Sequence, residues 1–151
     1  MSLGIKQYWQ AFKLKYPEYS QSEYREVYKF CDNEKDANEC AELVVQGIKR
    51  ATAASKWWHD YHNEPMPKSG EINIVVDWDD NPVAVIQVTE VNIVPFNEVT
   101  KEFAFTEGEG DKSLEYWKRV HWDFYTREME PYGVKPSEDM LIVCEEFKLL
   151  S

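Results

Sequence analysis

A lysine amine and a threonine hydroxyl stand three residues apart in Gly47-Ile48-Lys49-Arg50-Ala51-Thr52, and further on Glu107, Glu109 and Asp111 alternate with Gly108 and Gly110. Together the two segments supply a nucleophile, a base and an acid. A free hydroxyl is a weak nucleophile at neutral pH, so attack by Thr52 on a carbonyl needs an adjacent base. Lys49 meets that need if burial and the Arg50 cation lower its pKa, whereas nearby carboxylates oppose the shift by favouring the ammonium. In the alternative assignment Glu107 moves the proton and Lys49 stabilises the developing oxyanion. The carboxylates also suit a magnesium or manganese site. Each group has an ordinary structural role as well: a lysine after a helix donates to the last carbonyls, a threonine favours strands, and an acidic loop is solvated.

Other side chains fall close to these segments in the chain. Arg50 and Lys56 join Lys49 in a small basic patch at a pocket mouth, and Ser55, three residues after Thr52, faces the same cavity. Glu109 and Asp111 are further substrate contacts, with Asp111 also suited to cap the next helix. His121 shares a helical face with Leu114, Trp117 and Phe124, where it serves either as a core residue or as a donor on the pocket wall. His59 and His62, beside Trp57, Trp58 and Tyr61, form an aromatic rim for base stacking or a cluster packed under the N-terminal helix.

These residues need elements to position them. Ile5, Tyr8, Trp9 and Phe12 recur at helical spacing before Pro17, which predicts an amphipathic helix over 4–15 lying against the domain. Residues 24–31 are an ambiguous extended segment. Asn33 caps a second helix with Ala37, Cys40, Ala41 and Val44 as its buried stripe, and Gly47 suits its left-handed end. Residues 71–78 and 83–94 read as a β-hairpin across Asp79-Asp80-Asn81-Pro82, residues 97–103 as a short helix, and 140–144 as a final buried strand. Asp111 or Ser113 caps a longer helix that runs toward Pro131. Strands and helices interleave without regular alternation, which argues an α+β fold.

The order G-x-K-x-x-T followed by A-x-x-E-G-E-G-D-x-S-L over residues 104–114 resembles the ASCH domain family, and most closely its long bacterial branch. The resemblance spans roughly residues 30 to 150. It implies a PUA-like β-barrel with flanking helices, here with an extra N-terminal helical extension over 1–29 and the domain over 30–151. It also implies that Lys49, Thr52 and Glu107 correspond to the Lys-Thr-Glu triad of members with amidohydrolase activity. Such a hydrolase acts on a modified nucleoside or nucleobase with no cofactor and no metal. The RNA-binding habit of PUA-like barrels makes single-stranded RNA the alternative partner, and a ligand sensor without turnover is the third reading.

A chain of 151 residues is near the commonest single-domain size, and 15% aromatic content is ample for a packed core. The net charge of −11 gives no general attraction to phosphate backbones, which argues against duplex DNA. No apolar run approaches the roughly 18 residues of a membrane span, and the opening Met1-Ser2-Leu3-Gly4 lacks a signal-peptide layout, so the expected location is cytoplasmic. Cys31, Cys40 and Cys144 lack a C-x-x-C arrangement and are expected as reduced, mostly buried thiols.

Overall fold

The helical spacing of Ile5, Trp9 and Phe12 produces α1 (Ile5–Lys15), which buries Trp9 and Phe12 against the sheet in a computed structural model that describes residues 4–151. Burying a side chain such as Phe12 contributes about 1.5–3 kcal/mol, enough to hold a short helix that would fray alone. The chain then runs through β1 (Glu26–Lys29), α2 (Glu34–Val45), β2 (Ala51–Ser55), α3 (Lys56–His62), β3 (Ile72–Val76) and β4 (Pro82–Pro95). It ends with α4 (Lys101–Glu107), α5 (Leu114–Met129) and β5 (Leu141–Leu149). Mixed elements around one curved sheet make this an α+β, barrel-like fold.

The five strands lie in the order β1-β3-β4-β5-β2, with β1 parallel to β3 and every other pair antiparallel. Fourteen-residue β4 serves both halves: it pairs with β3 near its start and with β5 from Ile86 to Pro95, with a bulge between Val88 and Glu90. A bulge bends a strand and increases its twist. The two edge strands approach each other, and a 3.3 Å hydrogen bond between Tyr28 Oη on β1 and Thr52 Oγ1 on β2 spans the gap.

Both faces of β3 are covered, which is why all five of its residues are buried. Ile72, Ile74 and Val76 meet α1, while Val75 joins Cys40, Ala41 and Val44 of α2. A third cluster sets Trp117 and Tyr125 of α5 and Ala104 of α4 against Ile142 and Cys144. The segment 26–29, ambiguous in sequence, is an edge strand of the sheet, paired with β3. β5 runs five residues past the expected 144, because the charges at Glu145 and Glu146 conceal an alternation in which Val143, Glu145 and Phe147 share one face. No helix among the described residues is long and apolar enough to cross a membrane.

Candidate active site

Lys49 is delivered by the end of α2. Gly47, at φ +76°, takes the left-handed position; its N–H donates to Val44 O (3.0 Å) and that of Ile48 to Leu43 O (2.9 Å), a Schellman closure. The Lys49 backbone N–H also donates to Leu43 O, so the side chain is not needed to cap the helix and turns inward. Thr100 caps α4 by accepting from Phe103 N, and the helix carries Glu107 as its last residue. The helix thus starts and ends four residues later than the expected 97–103. Arg50 N donates to Thr106 O (2.9 Å), which ties the two helix exits together. Gly108 makes that approach possible: at φ +74°, a Cβ there would lie 2.6 Å from Ile48 O.

The result is a buried ionic cluster. Lys49, 2% exposed, donates from Nζ to Glu107 Oε2 (2.9 Å), Glu109 Oε2 (2.9 Å) and Ala51 O (2.8 Å), which engages all three of its protons. Glu107, 1% exposed, accepts at Oε1 from Trp117 Nε1 (2.9 Å) and faces His121 Nε2 at 3.2 Å. His121 Nδ1 lies 2.9 Å from Trp117 O, and a carbonyl only accepts, so this nitrogen carries a proton. With an ionised carboxylate opposite Nε2, the ring is an imidazolium held between two acceptors.

The proton affinities agree with that geometry. Burial favours the neutral amine of Lys49, but Glu107 and Glu109 outweigh it and hold its pKa above the ordinary value. Burial likewise works against ionised Glu107, yet Lys49 and His121 keep its carboxyl well below the usual range. For His121, burial is overcome by Glu107, and the pKa is raised. Glu109 is raised by burial and by Glu107, against the pull of Lys49. Both the geometry and the electrostatics thus favour the ammonium form of Lys49.

The cluster forms one wall of a cleft of about 620 Å³, lined by Lys49, Thr52, Glu109 and His121 as well as by Tyr28, Glu128 and Glu145. Glu107 lies behind this wall, held by Lys49 but not on the lining. Thr52 is on the lining, and its hydroxyl pairs with Tyr28 rather than with Lys49 or Glu107. A more open depression of about 840 Å³ between α4 and α5 is lined by Phe105, Leu114 and three lysines, and none of its ionisable residues is buried.

Several expected contacts lie elsewhere. Ser55 is fully buried; it caps α3 by accepting from Trp58 N and donates to Glu128 Oε2 (3.0 Å), so it stands behind the wall. Arg50 is exposed and off the lining, and Lys56 pairs with Asp60 four residues on, so no basic patch forms around buried Lys49. Asp111 is on the surface and accepts from Ser113 N, while Ser113 is the cap of α5. The aromatic cluster packs with Tyr132 rather than under α1, with Trp58 and His62 centroids 3.9 Å apart, and Trp58 and His59 reach the lining.

Glu128 and Glu145 escaped the sequence reading. Burial pushes each carboxyl up to about 7, against a Ser55 hydrogen bond for Glu128 and with help from Glu26 for Glu145. Signals existed for both. His121, Tyr125 and Glu128 repeat at i, i+4 and i+7 on α5, and Glu145 sits between inward Val143 and Phe147. In the β2–β5 register Glu145 is directly opposite Thr52, which places both side chains on one face of the sheet.

The ASCH domain model matches residues 26–151 of the chain. Among solved structures, an ASCH domain from Lactobacillus crispatus is 34% identical with a TM-score of 0.89, over 95% of this chain and 92% of its own. Protein EF3133 from Enterococcus faecalis, of family DUF984, is 32% identical with a TM-score of 0.82, over 93% and 86%. Hypothetical protein PH0355, at 20% identity and a TM-score of 0.54 over 84% and 98%, shares the fold. No curated protein matches the sequence.

Proposed function

Because the chain belongs to the ASCH domain family, we propose that its cleft is the reaction chamber of a small amidohydrolase-type enzyme acting on an acyl-modified nucleoside or nucleobase. The observation that carries this reading is the placement of Thr52 on the lining of a cleft that it shares with buried Lys49, whose partner Glu107 lies just behind the wall. A volume of about 620 Å³ suits a small molecule. Eight carboxylates line it against four lysine or arginine side chains, a balance that favours neutral substrates over phosphorylated ones.

In this proposal Thr52 Oγ1 attacks the acyl carbon. Its proton passes to Glu145, directly or through Tyr28 Oη, because Glu107 is occluded and its oxygens are already engaged. The tetrahedral intermediate then collapses with cleavage of the C–N bond as that proton is returned to the leaving nitrogen. Water, deprotonated by the same carboxylate, hydrolyses the Thr52 ester to the free acid and restores the hydroxyl. Burial raises the Tyr28 phenol, which keeps it neutral and able to both donate and accept. Lys49 supplies positive charge for the oxyanion by exchanging its bond to Glu109, the most accessible of its three acceptors. Glu107 and His121 hold that ammonium in place.

The ASCH family is thought to bind RNA, and Trp58 and His59 on the lining provide stacking surfaces for an unpaired base, which keeps single-stranded RNA as a second reading. One experiment compares the two. The protein is assayed on N-acylated cytidines and other modified nucleosides, with Thr52→Val and Glu145→Gln beside it, and titrated with single-stranded RNA at two salt concentrations. Turnover lost in Thr52→Val and reduced about 10²–10⁴-fold in Glu145→Gln supports the hydrolase. No turnover across the panel, with salt-sensitive RNA binding, moves the assignment to the RNA module.

A further inference from the structure

The cleft holds two thiols that the Thr52 chemistry does not use, beside the Glu109 that it does. Cys31, in the turn between β1 and α2, and Cys40, on α2, both reach the lining with their Sγ atoms 3.5 Å apart. Cys40 Sγ donates to Glu109 Oε1 at 3.3 Å. Cys31 adopts φ +66°, in the left-handed region that a residue with a Cβ seldom occupies. Backbone held in so sparse a conformation concentrates at ligand sites, where the surroundings enforce it. Here it sets one thiol against the other.

We propose that Cys31, Cys40 and Glu109 bind a thiophilic divalent cation of the zinc type, with a fourth coordination position open to the cleft. With Zn–S near 2.3 Å and Zn–O near 2.0 Å, tetrahedral geometry sets sulfur–sulfur at about 3.8 Å and sulfur–oxygen at about 3.5 Å. The observed separations of 3.5 and 3.3 Å come within a few tenths of an ångström of those values. The remaining oxygen, Glu109 Oε2, accepts from Lys49 at 2.9 Å, an outer-shell bond of the kind that orients a carboxylate ligand.

The charge count also closes. Ionised Lys49, His121, Glu107 and Glu109 sum to zero with both thiols protonated. A divalent cation that displaces the two thiol protons leaves the sum unchanged, so binding requires no new counter-ion and releases two protons. Two thiolates make the donor set soft, which favours zinc, cobalt or cadmium over magnesium.

The test uses the 151-residue chain, kept reduced with a non-thiol reductant and titrated with cobalt(II) and then zinc(II). A thiolate-to-cobalt charge-transfer band, one equivalent bound, displacement by zinc and release of about two protons per metal support the site. Cys31→Ser and Cys40→Ser should each abolish the band, and Glu109→Gln should weaken zinc binding about tenfold or more. Cys31 is only part-buried, so its variant serves if the Cys40 substitution impairs folding, which circular dichroism reports. Absence of the band in the fully reduced protein, or a band that survives in folded Cys31→Ser, overturns the proposal. Because the readout is spectroscopic, the outcome is independent of hydrolase activity.

Discussion

At the scale of single residues, the cleft sets two kinds of carboxylate side by side. Glu107 is buried with cationic partners and is held ionised, whereas Glu145, 8% exposed, makes no ion pair among the described residues and is pushed up to about 7 by burial, against the weaker pull of Arg25. Their effects on stability have opposite signs. Glu107, lowered from its ordinary 4.5, contributes stability above that pH and loses it as pH falls through its folded value. Glu145, raised from 4.5, contributes stability fully below pH 4.5 and loses it as pH rises through about 7. Glu145→Gln removes the second effect alone. Melting temperatures of the variant and the wild type should therefore diverge in the variant's favour between pH 4.5 and 7 and run parallel above that. A constant difference across the range would show that Glu145 ionises as freely in the folded protein as in the unfolded one.

At the scale of elements, the site depends on two helix exits brought within contact distance. Gly108→Ala would place a methyl group 2.6 Å from Ile48 O, whereas Gly133→Ala, at a similar φ of +69°, meets nothing within 4 Å. Both substitutions pay for the left-handed backbone, so each should destabilise by about 1 kcal/mol or more, and Gly108→Ala by clearly more than its control. Equal losses in chemical denaturation would mean that the contact between the exits is slack. This contact also marks the limit of what could be read from the chain. The cap at Asn33, the glycine end of α2, the buried stripe of α2 and the β3–β4 hairpin were legible, because local chemistry specifies each of them, whereas the cap of α5 was left between Asp111 and Ser113, two residues with the same capping chemistry, and is Ser113. The proximity of Lys49 to Glu107 came from resemblance, since 58 residues separate them. The short helix α3 was missed because Trp57, Trp58, Tyr61 and His62 lack a clean amphipathic period and are held by Tyr132, 70 residues after the nearest of them. Ser55 was placed by its distance from Thr52, but three residues along a strand is the opposite face and Ser55 caps α3; Arg50 precedes β2 in the connection tied to Thr106 O, where its side chain is exposed.

For the whole molecule, a net charge of −11 and a cleft whose charged lining residues are mostly carboxylates act in the same direction. A nucleoside should bind more tightly than its 5′-phosphate, with a gap that narrows as salt screens the repulsion, as competition binding at low and high ionic strength would report. Tighter binding of the phosphate would show that one of the four lining cations outweighs the eight carboxylates at the phosphate position. Whether the cleft is a reaction chamber is decided most directly by intact-protein mass spectrometry after rapid mixing with an N-acylated cytidine that the protein turns over. An acyl adduct mapped to Thr52, transient in the wild type and missing in Thr52→Val together with turnover, is the expected result. Undiminished turnover by Thr52→Val would contradict the assignment of Thr52 as the nucleophile.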